Sequence, residues 1–381
     1  MAKKKSRGNG DGDVYARKNK QGKIIGYRGT YWVQTANGPK RRYVSGKTKA
    51  ETRAALNKAR ADRDGGFVYD AGKLTLGEYL SRWLTDSVKG TVRRSTFVRY
   101  ESIARNHISP TLGLLKLNNL TPAHVRGLYR DKSESLSPRT VNYIHVTLHK
   151  SLKQAVMDGL IPRNVADAVK APQALRREVK PLSATQVRAL LSAASGDPLE
   201  ALYIVAVHSG LRLGELLGLK WSDVNLEIST LSVQRSLDTD GTFNPPKRNR
   251  SRRTVKLTGH AVTMVKSHKM AQNEERLRLG SLWIDHDLIF PNRVGKPMDA
   301  DNLYHRGFKP LLKRTGLAEL GFTFHSLRHT CATLLLSKNV NPKIVQEMLG
   351  HATISQTMDT YSHVLPGMQD EAAAALESAL R

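Results

Sequence analysis

The spacing of apolar residues changes character along this chain, and that change limits the folds open to it more than any single motif. Residues 13–46 read as three short runs, DVYARK, IIGYRGTYWVQT and KRRYVSG, rich in Tyr, Val, Ile and Thr and parted by the turn-like NKQGK and ANGP. Such runs suit a pleated surface buried on one side. A helix follows in TKAETRAALNKARAD and stops at Gly65-Gly66. Residues 74–170 are then helical throughout: LTLGEYLSRWL and TVRRSTFVRYESIARNHI repeat apolar residues at helical spacing, Thr121-Pro122 opens a third helix, and Ser137-Pro138 opens a fourth that ends at Gly159. The Pro- and charge-rich KAPQALRREVKPLS, 170–183, reads as a linker. Helices resume with a capping box from Ser183 to Gln186 and continue to the end, broken only at 229–257 by STLSVQRSLD, a turn at Asp240-Gly241 and SRRTVKL, a hairpin or small sheet.

The expected fold is therefore multidomain and mostly α. A small N-terminal sheet with one helix occupies 1–66, a helical bundle 67–172, and a mainly α domain with a small β element 173–381. A length of 381 residues is enough for each part to bury a core.

Charge points to a class of partner. The chain carries 61 Lys and Arg against 33 Asp and Glu, net +28. Residues 1–66 hold 18 basic and 5 acidic side chains, residues 67–180 hold 19 and 9, and residues 181–381 hold 24 and 19, so the excess falls steadily along the sequence. Nucleic acid is the polyanion that suits such a gradient, since each neutralised phosphate releases counterions. Arg28, Lys40, Arg41 and Arg42 are expected on the polar face of the N-terminal sheet. On the bundle, Arg93, Arg94, Arg99, Arg105, Arg139, Lys150 and Lys153 interleave with Tyr and Phe as a second candidate DNA surface. Solvated basic surfaces would look the same at this level.

Several chemistries are disfavoured. Cys331 is the single cysteine, so no intrachain disulfide and no thiolate zinc cluster can form, and no H-E-x-x-H occurs. VSGKT at 44–48 ends like a phosphate-binding loop, but position 41, where that loop needs glycine, is Arg. No apolar run approaches the roughly 18 residues of a membrane span, and MAKKKSRGNGDGD lacks the apolar centre of a signal peptide, so the expectation is a soluble, intracellular protein without membrane contact.

The residues that could carry chemistry lie in the last domain. HSGLRLGELLGLKWSDV, 208–224, sets Arg212 at the start of an amphipathic helix, with Glu215 three residues on and able to hold its guanidinium. FTFHSLRHTCATLLL, 322–336, projects His325 and Arg328 from one side of an otherwise apolar helix. NPKIVQEMLGHATISQTMDTYSHV, 341–364, ends a helix at Gly350, exposes His351 at the turn and brings Tyr361 ten residues later. Singly, each has a plain structural explanation: an ion pair, a core histidine, a packed phenol. Together they answer one demand. Attack on a phosphodiester builds charge on its non-bridging oxygens, which guanidinium groups match bidentately, while the attacking phenol must lose a proton and the leaving alkoxide must gain one.

At this point the sequence resembles a family. Arg in SGLRLGEL, Lys in PKRNRSRRT, then HSLRH, LGH and YSH follow the order and spacing of the tyrosine recombinases, and within them the phage and integrative-element integrases. The N-terminal sheet and helix resemble the arm-type DNA-binding domain of lambda-like integrases, and the bundle resembles their helical, SAM-like core-binding domain. The resemblance implies that Tyr361 attacks the scissile phosphate to give a 3′-phosphotyrosyl enzyme and a free 5′-hydroxyl. Arg212, Arg328 and His351 would bind the phosphate oxygens, His325 would assist proton transfer at the tyrosine, Lys247 would protonate the leaving oxygen, and Glu215 would orient Arg212. Lys247 has neighbours, Arg248, Arg250 and Lys256, that a one-residue slip of the hairpin would bring into its place.

The same resemblance implies no cofactor and no metal, because the covalent intermediate conserves the phosphoester bond. It implies a homotetramer on two DNA duplexes carrying core and arm sites, exchanging strands through a Holliday junction in the cytoplasm of a bacterial host. A DNA-bending protein and an excision factor would assist. The Ala-rich DEAAAALESAL, 370–380, would pack on a neighbouring subunit or fold back on its own. Chromosome-dimer resolution, transposon movement, and DNA binding by an inactive homologue are the competing readings.

Overall fold

The computed structural model describes residues 14–35, 38–64, 74–173, 181–245, 252–361 and 376–380. The chain divides into two compact units, Met1–Arg176 and Arg177–Arg381.

The first unit begins with an antiparallel three-stranded meander of Val14–Lys18, Ile24–Thr35 and Gly38–Gly46. Asn19 closes the first turn by accepting the backbone N–H groups of Gln21 and Lys23 on its side-chain oxygen. The helix Lys49–Asp64 then packs against one face, burying Leu56 and Thr52 with Val33, and Arg63 donates to the carbonyl of Trp32 at 3.2 Å. Its start is fixed by Thr48 and Glu51, each accepting a backbone N–H near the helix N-terminus.

Register divides the basic residues expected together on this sheet. Trp32 pairs with Arg41, Thr30 with Tyr43 and Arg28 with Tyr15 and Ser45, so Arg28 and Arg41 share the open face. Lys40 pairs with the buried Val33, and Arg42 with Tyr31, which places both on the helix side. Side chains alternate along a strand, so three consecutive basic residues cannot share a face.

The same unit continues as a helical bundle. Thr75 and Glu78 form a reciprocal capping box at the start of Leu76–Arg82, which runs into a wider π-turn at Trp83–Val88. Arg94–Ile103, Pro122–Ser133 and the long Pro138–Met157 follow. Thr121 and Ser137 cap the last two, each with proline in the first turn, where its missing N–H costs nothing. The chain leaves the fourth helix at Gly159, with φ +67°. Leu76, Leu80, Leu128, Ile144, Leu148 and Leu152 form the core, and the buried Tyr79 hydroxyl donates to the carbonyl of Ser151 at 2.6 Å.

The second unit is built around the helix Glu200–Ser209, apolar on all sides and correspondingly buried. Helices Ala184–Ala193, Gly259–Leu279 and Phe324–Leu336 pack against it, and Lys309–Arg314 packs on Ala184–Ala193, with Tyr203, Phe308 and Phe324 in mutual ring contact. A small antiparallel sheet orders Val224–Asn225, Thr230–Val233 and Arg253–Lys256. The expected turn at Asp240-Gly241 closes its own two-residue ladder, Ser236–Leu237 against Phe243–Asn244. The strand returning to Thr230–Val233 begins at Arg253, and Lys247 lies outside the described residues. Among the described residues no helix is long and apolar enough to cross a membrane.

Candidate active site

Three segments of the second unit converge where the buried central helix ends. Gly210 terminates it with φ +62°, a conformation that favours glycine. A Cβ there would also meet Leu349 Cδ2 at 2.7 Å, so the close approach of the two segments needs glycine twice over. The chain turns through Arg212 into the short helix Leu213–Leu217. Glu215, at the third position, reaches back: one oxygen accepts the Arg212 backbone N–H at 3.0 Å and the other accepts its Nη1 at 2.7 Å. The i, i+3 pairing expected for these two is present.

Glu215 is almost wholly buried, at 4% exposure, and serves a second arginine. Arg253, on the returning strand, donates Nη2 to Glu215 Oε2 at 2.9 Å and Nε to the carbonyl of Met348 at 2.6 Å. Burial alone would raise the carboxyl pKa. The hydrogen bond and charge of Arg253, with the charge of Arg212, outweigh it and hold Glu215 at about 2. Arg253 was not among the residues expected here. Its signal was the strand alternation: Arg253 and Val255 turn inward while Thr254 and Lys256 face out.

Arg328 is buried to 2% exposure in the Phe324–Leu336 helix. Its Nη1 donates to the carbonyl of Gly210 at 2.8 Å and its Nη2 to that of Leu349 at 2.7 Å. His325 lies one turn earlier at the surface. Partial desolvation and the charges of Arg328 and Arg212 lower its pKa, so it is neutral at pH 7. His329 stacks edge-on against it at 4.7 Å, and its own pKa is held at about 4. Among the described residues, no third metal-ligating side chain joins this pair.

His351 follows the helix Pro342–Leu349, which ends at Gly350 with φ +67°. Gln346 holds the turn from both sides, its backbone carbonyl accepting the His351 N–H and its side-chain amide donating to the His351 carbonyl at 3.0 Å. The imidazole Nδ1 shares a 2.9 Å hydrogen bond with the fully buried Thr357 hydroxyl. Burial, then Arg328, Arg212, His329 and Arg253, push its pKa down to about 3, so these groups share one field. Thr357, also not anticipated, lies in the helix Ile354–Tyr361, one turn before Tyr361. Tyr361 is the last residue of that helix, and its side chain lies outside the described residues.

Arg212, Arg328, His325 and His351 are thus brought together, with Glu215 beneath them. Among the described residues, only the Arg212 side chain combines an ion pair to Glu215 with substantial exposure, 39%. Positive groups clustered at one place, with imidazoles of lowered pKa beside them, can bind a phosphate and stabilise charge growing on it.

The basic residues of the first unit fall into smaller groups. Arg99 and Arg139 both lie over the Tyr143 ring, at 4.9 and 5.9 Å, and Arg139 donates to its hydroxyl at 3.5 Å. That hydrogen bond, and both positive charges, lower the Tyr143 pKa. Lys150 donates to the Tyr100 hydroxyl at 2.7 Å, Lys153 is exposed, Arg93 immediately precedes the helix Arg94–Ile103 and Arg105 is exposed. On the open face of the sheet, Arg28 and Arg41 flank the Tyr43 ring at 5.2 and 5.9 Å beside exposed Trp32.

Comparison with known proteins follows the same division. Residues 180–367 match the Phage integrase family, and residues 75–133 match the Phage integrase N-terminal SAM-like domain. A XerC-like tyrosine recombinase of Caldanaerobacter subterraneus is 31% identical over 359 residues, covering 88% of this chain and 91% of the relative. An integrase of Streptomyces ambofaciens is 30% identical over 379 residues, 95% and 94% of the two chains. Among solved structures, the Tn1549 transposon integrase in complex with a circular intermediate DNA superposes with a TM-score of 0.66 at 21% identity, covering 80% of this chain and 99% of that one. A lambda integrase tetramer bound to a Holliday junction gives 0.56 at 20% identity, with 89% and 95% covered.

Proposed function

The chain belongs to the phage integrase family of tyrosine recombinases, and on that premise we propose that Tyr361 is the nucleophile of this site-specific DNA recombinase, acting on a phosphate held by Arg212, Arg328 and His351. The observation that carries the reading is the buried carboxylate of Glu215, which fixes the guanidinium of Arg212 from below while leaving it partly open to solvent. An arginine held this way presents its donors without having to order a flexible side chain at the moment of reaction.

The Tyr361 oxygen forms a bond to phosphorus as the bond to the 5′-oxygen breaks, leaving a 3′-phosphotyrosine and a 5′-hydroxyl. Lys247 gives the leaving oxygen its proton, and His325, neutral at pH 7, assists removal of the phenolic proton. Arg212 and Arg328 neutralise charge building on the non-bridging oxygens, and His351 offers them a hydrogen bond. A 5′-hydroxyl from another strand then reverses the step. One phosphoester replaces another, so no nucleotide need be hydrolysed.

Partners follow from charge and resemblance. The bundle, through Arg99 and Arg139 around Tyr143 and through Arg93, Arg94, Lys150 and Lys153, grips duplex DNA near the cleavage point. The N-terminal sheet takes a separate arm site on its open face. By likeness to the lambda complex, four copies act on two duplexes in the bacterial cytoplasm, with a DNA-bending protein and a directionality factor choosing between integration and excision.

The experiment is incubation with supercoiled DNA carrying the sequences that flank the protein's own gene, followed by a search for a denaturation-resistant adduct. Adduct in wild type and none in Tyr361→Phe is the expected result. Adduct persisting in Tyr361→Phe would overturn the assignment.

A further inference from the structure

Two buried arginines tie the same two segments together, and the roles assigned above account for only one of them. Arg328 joins the carbonyls of Gly210 and Leu349. Arg253 makes a parallel tie one residue away, from the carboxylate of Glu215 to the carbonyl of Met348. Its side chain is 6% exposed, against 39% for the Arg212 side chain on the same carboxylate. Its guanidinium is directed at protein acceptors on both segments. Gly350 packs on it so closely that a Cβ there would meet Arg253 Nη1 at 2.9 Å, and His351 follows directly.

We propose that Arg253 is a positioning residue, which locks the carboxylate orienting Arg212 to the turn presenting His351, so that the two phosphate-binding groups keep a fixed spacing. This rests on the reading of Arg212, His351 and Tyr361 given above. The physical argument is geometric. A guanidinium donates through a rigid planar fork, so one side chain fixes the distance and the angle between a carboxylate on one segment and a carbonyl on another. An ammonium keeps the charge and loses the fork. Displacement of a phosphate-binding group by about 1 Å is enough to cost on the order of 100-fold in rate.

The test uses the full-length protein and a duplex of its own attachment core, in two forms: an ordinary phosphodiester and a neutral methylphosphonate at the mapped cleavage position. Single-turnover adduct formation, DNA affinity and thermal unfolding are measured for wild type, Arg253→Lys and Arg253→Met. The expected result is DNA affinity within about two-fold of wild type and adduct formation about 100-fold slower on the phosphodiester. On the methylphosphonate, where less charge develops, the wild-type-to-variant ratio should shrink. Equal rates in wild type and variants would overturn the proposal. So would an equal deficit on both substrates, or loss of folding in both variants, because Arg253 would then serve stability alone. Absence of a wild-type adduct would instead count against the Tyr361 reading itself.

Discussion

Glu215 binds Arg212 through both of its oxygens, one to the backbone N–H and one to Nη1, at 3.0 and 2.7 Å. Glu215→Gln keeps the volume and removes the charge that also compensates Arg253. Leaving a buried cation without its carboxylate costs about 3 kcal/mol of stability. Adduct formation should fall by roughly 10- to 100-fold as the Arg212 guanidinium loses its anchor. Chemical denaturation and single-turnover cleavage read the two effects separately, and an unchanged unfolding midpoint would sink the first.

Thr357 couples His351 to the helix that carries Tyr361. Thr357→Val preserves the shape and deletes the hydroxyl. The expected cost is about 1 kcal/mol in stability and roughly ten-fold in cleavage, by analogy with other residues that orient a site's ligating histidine. Thr357→Ser should restore most of the rate. If the valine variant cleaves at the wild-type rate, the imidazole is held by something else.

Acid should destabilise the second unit in two overlapping steps. His351 and His329 are held at about 3 and 4, below the ordinary 6.5. Between pH 6.5 and those values the unfolded chain takes up protons that the fold refuses, so stability falls as pH falls. Glu215, depressed from 4.5 to about 2, adds stability that is fully present above pH 4.5 and is lost as pH drops towards 2. Urea midpoints at pH 7 and 5 measure the histidine step, which His351→Gln should shrink. Phosphate bound beside His351 should raise its pKa, visible as a shifted imidazole titration by NMR when DNA is added.

On the N-terminal sheet, register separates residues that neighbour one another in sequence. Arg28→Ala and Arg41→Ala should each weaken arm-site binding and lower the magnitude of the salt slope by about one. Lys40→Ala, on the helix side beside Val33, should do markedly less. Equal losses at all three positions would show that DNA does not discriminate the two faces.

What was legible in the sequence is what is local. The capping box at Ser183, proline after Thr121 and Ser137, the stop at Gly159 and the Arg212–Glu215 pair each depend on groups within a few residues, so spacing alone announces them. The series Arg212, His325, Arg328, His351 and Tyr361 came from the resemblance to the tyrosine recombinases and not from local spacing. Tertiary structure decided the partners of the buried cations. Arg253 meets a carbonyl 95 residues away and Arg328 meets one 118 residues away, and a backbone carbonyl has no residue-type signature. Those acceptors become specific only when packing removes water from around a buried guanidinium.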